Sequence, residues 1–297
     1  MNETANSRQQ PDDHENRKRQ AGDKIHNVTV KTMTQDLAER QSELLRLLVE
    51  QYIATAAPVS SGGLVERHEL EVSSATVRNT FAELESEGYV ERTHSSAGAT
   101  PTGRAYRYYV EVLLRSSEVP TSRQETIRHQ FHQVESEDVF LWARLAAATL
   151  ARLSEALAIV TPLPGHTEHG MDEPVVYGIS QVVNQPELID RIDMVRELLD
   201  AVESGRLAPA LHTDDLPATG LRVVIGNEHD EPFLHPYAAV MSTYGPTELS
   251  DQRGAVVALG PTRMDYAAAI PAVRYLGELL SNMAETLDAV YQNREYV

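Results

Sequence analysis

From Leu37 onward the chain reads as a series of amphipathic helices. Leu37, Leu44, Leu45, Leu48, Tyr52 and Ile53 recur three and four residues apart and lay one apolar stripe along a first helix. Ala57-Pro58 ends it, because proline drives its predecessor out of the helical region. Ser60 or Ser61 can cap a short second helix carrying Leu64, Val65 and Leu70. Gly62-Gly63 weakens that helix by roughly 1 kcal/mol per glycine relative to alanine. Ser73 is placed to cap a third helix through Val77, Phe81 and Leu84, and Gly88 stands at its C′ position. Tyr89–Thr93 then alternates like a strand, His94–Gly98 is small and polar like a hairpin tip, and Ala99–Pro101 can return. Thr102 can cap one more helix, with Tyr109, Val110, Leu113 and Leu114 facing inward.

Ser116–Ser122 reads as a linker. Beyond it the pattern predicts helices near 123–136, 139–156, 187–203 and 262–292. Strands are predicted at Leu157–Thr161, Val175–Ser180, Leu221–Gly226, Tyr237–Tyr244 and Gly254–Leu259. Several of them follow one another without an intervening helix, which points to an antiparallel sheet with helices packed on it, an α+β fold. Residues 1–33 are polar, lack periodicity and hold the basic run Arg17-Lys18-Arg19, the pattern of a disordered tail. The expected division is 1–33 tail, 34–115 first domain, 116–122 linker and 123–297 second domain.

Composition narrows the function classes. A chain of 297 residues has room for two domains, and 41% hydrophobic residues can fill their cores. No stretch approaches the ~18 apolar residues that span a bilayer, and the first residues lack the apolar core of a signal peptide. Cysteine is absent, which removes disulfides, thiol nucleophiles and thiolate metal sites and fits a cytoplasmic chain. The net charge of −18 argues, taken whole, against nucleic acid. It is unevenly spread, however. Residues 1–115 hold 14 Lys and Arg against 17 Asp and Glu, whereas residues 116–297 hold 12 against 27.

Three short helices followed by a hairpin describe a winged helix-turn-helix, whose third helix lies in the DNA major groove. The candidate reading surface is Ser73, Ser74, Thr76, Val77, Arg78, Asn79 and Thr80. Its chemistry suits a groove: hydroxyls for phosphate, a guanidinium able to take guanine bidentately, and an amide suited to adenine. His94, Ser95, Ser96 and Gly98 form the candidate wing, and Arg104 and Arg107, with Arg92, flank it as candidate phosphate ligands. The plain alternative is an amphipathic helix that Ser73 merely caps.

Val72–Asn79, Ala82-Glu83-Leu84-Glu85 and Gly88 resemble the recognition region of the heat-inducible transcription repressor HrcA family. Thr93–Gly98, Pro101-Thr102 and Tyr106–Val110 are similar to that family's wing and following helix. Asn184-Gln185-Pro186-Glu187 is similar to its middle motif, and Gly260–Tyr266 to its C-terminal signature. The resemblance covers about residues 37–290. It implies a winged helix joined to a GAF-like domain, and a homodimer that binds double-stranded DNA at an inverted-repeat operator ahead of chaperone operons. It also implies that the GroEL chaperonin supports the activity, and it implies no cofactor and no metal. Ala99 stands where the family has an arginine, and Ser61-Gly62-Gly63-Leu64 replaces a segment that is usually Ser, a basic residue, Thr and Leu. Between Ala158–Pro162 and Val176-Tyr177-Gly178 only a short loop remains where the family carries a dimerising insertion. Dimerisation is therefore expected through helices around 123–156 or 262–292.

Other readings compete. His166 and His169 with nearby carboxylates have the look of a metal loop, but such spacing is common in acidic loops. His212, His229 and His235 with Asp214, Asp215, Asp230 and Glu231 can supply acid–base groups, yet no nucleophile elbow, phosphate loop or dinucleotide fingerprint accompanies them. Arg263 and Asp265 can clamp a ligand, or lock the start of a last helix capped by Thr262. A regulator whose GAF-like domain senses a small molecule is the closest alternative to a heat-shock repressor.

Overall fold

The computed structural model describes residues 37–94, 97–114, 117–134, 138–163, 173–189, 191–217, 220–245 and 253–294. The tail 1–33, Ser95, Ser96, and the loop residues His166 and His169 lie outside the described residues.

The first unit is built as the periodicity predicts. Helix α1 (Glu39–Thr55) buries Leu44, Leu45, Leu47, Leu48 and Val49, and the left-handed Ala56 closes it by donating its N–H to the Tyr52 carbonyl. Ser60 caps α2 (Ser61–His68) by accepting from the Gly63 N–H at 3.0 Å. Helix α3 (Ser74–Ser86) turns Val77, Thr80, Phe81 and Leu84 inward onto α1 and α2. Each buried apolar side chain contributes about 1.5–3 kcal/mol, more than any cap, so packing fixes this helix and Ser73 sets its start. Its end is a Schellman turn: Gly88, at φ +77°, donates to the Glu85 carbonyl and Tyr89 to that of Leu84.

The hairpin is shorter than its alternation suggests. Among the described residues of the hairpin only Val90–Glu91 (β1) and Thr100–Pro101 (β2) pair, antiparallel, and Ala99 adds a bridge to Val59 between α1 and α2. Thr102 caps α4 (Gly103–Tyr108), which opens into a π turn over Tyr109–Leu113. The wider turn rotates the inner face, so Tyr108, Tyr109 and Val110 are all buried although they are consecutive.

The second unit is three-layered. Helices α5 (Thr121–His132) and α6 (Val139–Ser154) lead into strand β3 (Leu157–Val160), and β4 (Val175–Tyr177) follows. Four short helices come next: α7 (Ile179–Val183), α8 (Pro186–Ile189), α9 (Ile192–Glu203) and α10 (Leu207–Ala210). Strands β5 (Arg222–Ile225), β6 (Tyr237–Tyr244) and β7 (Gly254–Pro261) precede the long helix α11 (Tyr266–Arg294). The five strands form one antiparallel sheet in the order β4-β3-β7-β6-β5. Numbered within this unit alone the order is 2-1-5-4-3, an antiparallel sheet with packed helices as expected for the GAF-like unit.

Alternate residues of the sheet serve two cores. Ala158, Val160, Val256 and Ala258 face α6 and α11, whereas Leu157, Ile159, Val257 and Leu259 face α7–α10. Covered on both faces, β7 is buried along its whole length, and its sequence shows an apolar run instead of alternation.

Three predicted boundaries are corrected. The strand expected over Val175–Ser180 stops at Tyr177, because Gly178 turns at φ +83° and α7 begins. The helix expected over 187–203 is split between α8 and α9. Asp265, not Thr262, caps α11: its carboxylate accepts from the Ala268 N–H at 3.1 Å, while the Thr262 carbonyl accepts the Tyr266 hydroxyl at 2.6 Å.

Candidate nucleic-acid interface

The α3 helix divides its candidate residues cleanly. Ser73, Ser74, Ala75, Arg78, Asn79 and Ala82 are exposed, whereas Val77 is fully buried and Thr80 is 5% exposed. Val77 and Thr80 are therefore core residues, and Thr80 further donates its hydroxyl to the Thr76 carbonyl at 3.3 Å. A run of consecutive positions includes both faces of a helix; helical geometry turns 77, 80, 81 and 84 inward and leaves the 75, 78, 79, 82 stripe outward. No hydrogen bond or ion pair joins the Arg78 or Asn79 side chain to another described residue, so both present their donors to solvent. Ser73 accepts the Thr76 N–H at 3.1 Å, and the two hydroxyls share a hydrogen bond of 2.8 Å, so capping occupies part of their capacity.

The wing root is closely packed. Val59 and Ala99 exchange two backbone hydrogen bonds, and a Cβ added to Gly98 would lie 2.7 Å from the Pro58 carbonyl carbon and oxygen. Ala99 is fully buried, so in this chain position 99 belongs to the packing of the wing. His94 is exposed at the wing's edge. Gly62 in the first turn of α2 has open space where a Cβ would stand, whereas a Cβ added to Gly63 would lie 2.9 Å from the Ser60 hydroxyl that caps the helix.

The arginines part ways. Arg104 is exposed, donates to the Glu87 carbonyl at 2.8 Å and stacks its guanidinium 4.6 Å above the Tyr89 ring. Arg92 pairs with Glu85, and its side chain is 8% exposed. Arg107 is turned the opposite way. It holds the Glu228 carboxylate of the second unit with two donors and gives a third bond, at 2.8 Å, to the Val223 carbonyl. That corrects its expected role as a phosphate ligand, and only tertiary contact reveals it.

A second cross-unit tie was invisible to the sequence. Arg263 donates to the Ile53 carbonyl in the last turn of α1 at 3.1 Å and to the Gln185 amide oxygen at 2.6 Å. The middle and C-terminal signatures thus meet at one guanidinium. Beside it lies a cleft of about 490 Å³ lined from both units, with Glu50, Tyr109, Glu155 and Asp265 on its walls. Burial first, then the carboxylates of Glu50 and Asp265, pushes the Tyr109 phenol well above its ordinary range.

The candidate histidines of the second unit lie near one another. His212 lies 3.6 Å from Asp230, and the ring of His235 is 3.1 Å from the His229 carbonyl. His229 is 6% exposed, and burial, aided by the nearby His235, lowers it to about 4 against a hydrogen bond its ring donates to the Tyr237 backbone. Among the described residues no three His, Asp or Glu side chains are grouped to hold a metal ion, and no helix is long and apolar enough to cross a membrane.

The family profile described as "HrcA protein C terminal domain" matches residues 114–270. The chain is similar to a heat-inducible transcription repressor HrcA of Roseiflexus sp. (strain RS-1), 30% identical over 86% of this chain and 96% of the relative. The protein of that name from Herpetosiphon aurantiacus is 29% identical, over 84% and 95% respectively. The Roseiflexus alignment runs over 351 positions, of which this chain fills about 255, so about 95 have no counterpart here. The β3–β4 connection, residues 161–174, is where the sequence reading places that loss. A solved structure described as a hypothetical protein at 2.2 Å resolution shares the fold, with a TM-score of 0.69 at 20% identity, covering 84% of this chain and 99% of that one.

Proposed function

We propose, for a chain that belongs to the HrcA family of heat-inducible transcription repressors, that repression is exerted by a homodimer whose two α3 helices read an inverted-repeat DNA operator. The observation that carries this reading is the exposed stripe Ala75, Arg78, Asn79 and Ala82 on a helix whose other face is core. Arg78 takes guanine O6 and N7, Asn79 takes adenine N6 and N7, and the two alanines meet thymine methyls. Ser73, Ser74, Thr76, Arg104 and the wing with His94, Ser95, Ser96 and Gly98 contact phosphate and sugar, which position the protein without reading sequence. The near-balanced charge of residues 1–115 fits this division, because few cations limit non-specific attraction and leave discrimination to placed groups.

The dimer uses α5–α6 or α11 in place of the missing insertion. Phe140 and Leu141, each 41% exposed in the first turn of α6, are the apolar side chains that support this surface. The operator lies ahead of chaperone operons, and the GroEL chaperonin sustains the repressing form. A gel shift on the palindrome upstream of the host's chaperonin operon, beside a scrambled duplex, tests the reading. Selective retardation is expected; equal affinity for both duplexes overturns it. The sensor alternative draws on the junction cleft: operator affinity unmoved by GroEL but lowered by a metabolite would favour it.

A further inference from the structure

We infer that Arg107 and Arg263 are positioning residues that lock the winged helix onto the GAF-like body in one orientation, and so fix the half-site spacing the dimer accepts. The inference rests on the reading of this chain as a dimeric operator binder. The linker around 117–120 alone would leave a hinge between the units. A single contact would still allow rotation about itself; two separated ties do not. Arg263 grips α1, and Arg107 extends from α4, so the body holds two different helices of the reading head.

The chemistry makes both ties specific. The Ile53 carbonyl belongs to the last turn of α1, whose terminal carbonyls lack partners within the helix and whose dipole favours a cation. Arg263 supplies both partner and charge. The Arg107 side chain is 14% exposed, and its carboxylate partner is itself oriented by the Ile225 N–H, which donates to Glu228 at 2.8 Å. Paired charge-assisted bonds in a partly desolvated site resist reorientation better than a lone surface ion pair. Between the ties the Tyr106 and Tyr266 rings meet at 6.0 Å, giving the two units a shared apolar pivot. Position then passes to the reading helix, because α1 packs on α3 and the Gln41 amide donates to the Glu83 carboxylate at 3.1 Å.

Spacing discrimination is a readout that stability does not imitate. Each inserted base pair displaces the second half-site by about 3.4 Å and rotates it by about 35°, so rigid heads tolerate little change. Operators whose half-sites are moved by one or two base pairs, and a single half-site, are titrated by fluorescence anisotropy against the wild type and an Arg107→Gln/Arg263→Gln double variant. The wild type should lose about tenfold or more in affinity at two base pairs, whereas the variant should differ less than about threefold across spacings. The variant's affinity for the single half-site should equal that of the wild type, which also certifies a folded reading head. Glu228→Gln, which can still accept the Ile225 N–H, should relax the discrimination partway and serves if the double variant does not fold. Wild-type discrimination retained in the folded variants overturns the inference. Failure of the wild type itself to bind any of these operators overturns the operator reading instead.

Discussion

Val59 and Ala99 exchange both of their backbone hydrogen bonds, each 2.9 Å long, and so tie the root of the wing to the turn between α1 and α2. Gly98 is what permits this approach, because its α-carbon faces the Pro58 backbone. Gly98→Ala would place a methyl 2.7 Å from the Pro58 carbonyl, and rigid backbone on both sides must move. A loss of about 1–3 kcal/mol is expected in urea denaturation. A change below about 0.5 kcal/mol, the range of ordinary surface substitutions, would mean that the wing root yields freely.

Arg78→Ala should cost about 1–3 kcal/mol of operator binding and relax the preference at one base pair. The comparison is between operator and scrambled duplexes in the same salt. Equal losses on both would make Arg78 a phosphate ligand.

Ser73 serves two ends that one substitution can separate. Ser73→Ala removes the acceptor for the Thr76 N–H and should destabilise the protein by about 1 kcal/mol. Ser73→Asp keeps a good cap, so its denaturation midpoint should match the wild type, but it sets a negative charge against DNA phosphate. Operator affinity should therefore fall for Ser73→Asp while stability does not. Unchanged affinity would remove Ser73 from the interface.

His229 makes stability depend on pH. Its folded value of about 4 lies below the ordinary 6.5, so the unfolded chain binds a proton between these values and the folded one does not. Stability is full above pH 6.5 and falls as the pH drops toward 4. The shift sets an upper scale of roughly 3 kcal/mol. His229→Gln should flatten the stability–pH curve in that window; an unchanged slope would assign the acid sensitivity to other groups.

Phe140→Glu combined with Leu141→Glu places charge on the proposed dimer surface without touching the buried Trp142 and Ala143. Light scattering should shift from dimer toward monomer mass. A dimer that persists at the same concentration would move the interface to α11.

The amino-acid sequence by itself determined the local elements of the reading head. Periodicity, the Ser60, Ser73 and Thr102 caps and the Gly88 stop act within a few residues, so they can be read without knowing the fold. The same locality explains the boundary errors. Whether Thr262 or Asp265 caps α11, or where β4 yields to α7, depends on carbonyls and turns set by packing. In the candidate site, the residue types of α3 are legible in the sequence, but packing decides which of them face the core, and Val77 and Thr80 do. The arginines were ambiguous in principle, because a guanidinium serves phosphate, carboxylate or carbonyl equally well. Only the tertiary structure decided among them: Arg78 is left to solvent, Arg104 stacks on Tyr89, and Arg107 and Arg263 join units far apart along the chain. Partners at such separation leave no periodic signature, and the fold alone brings them within hydrogen-bonding distance.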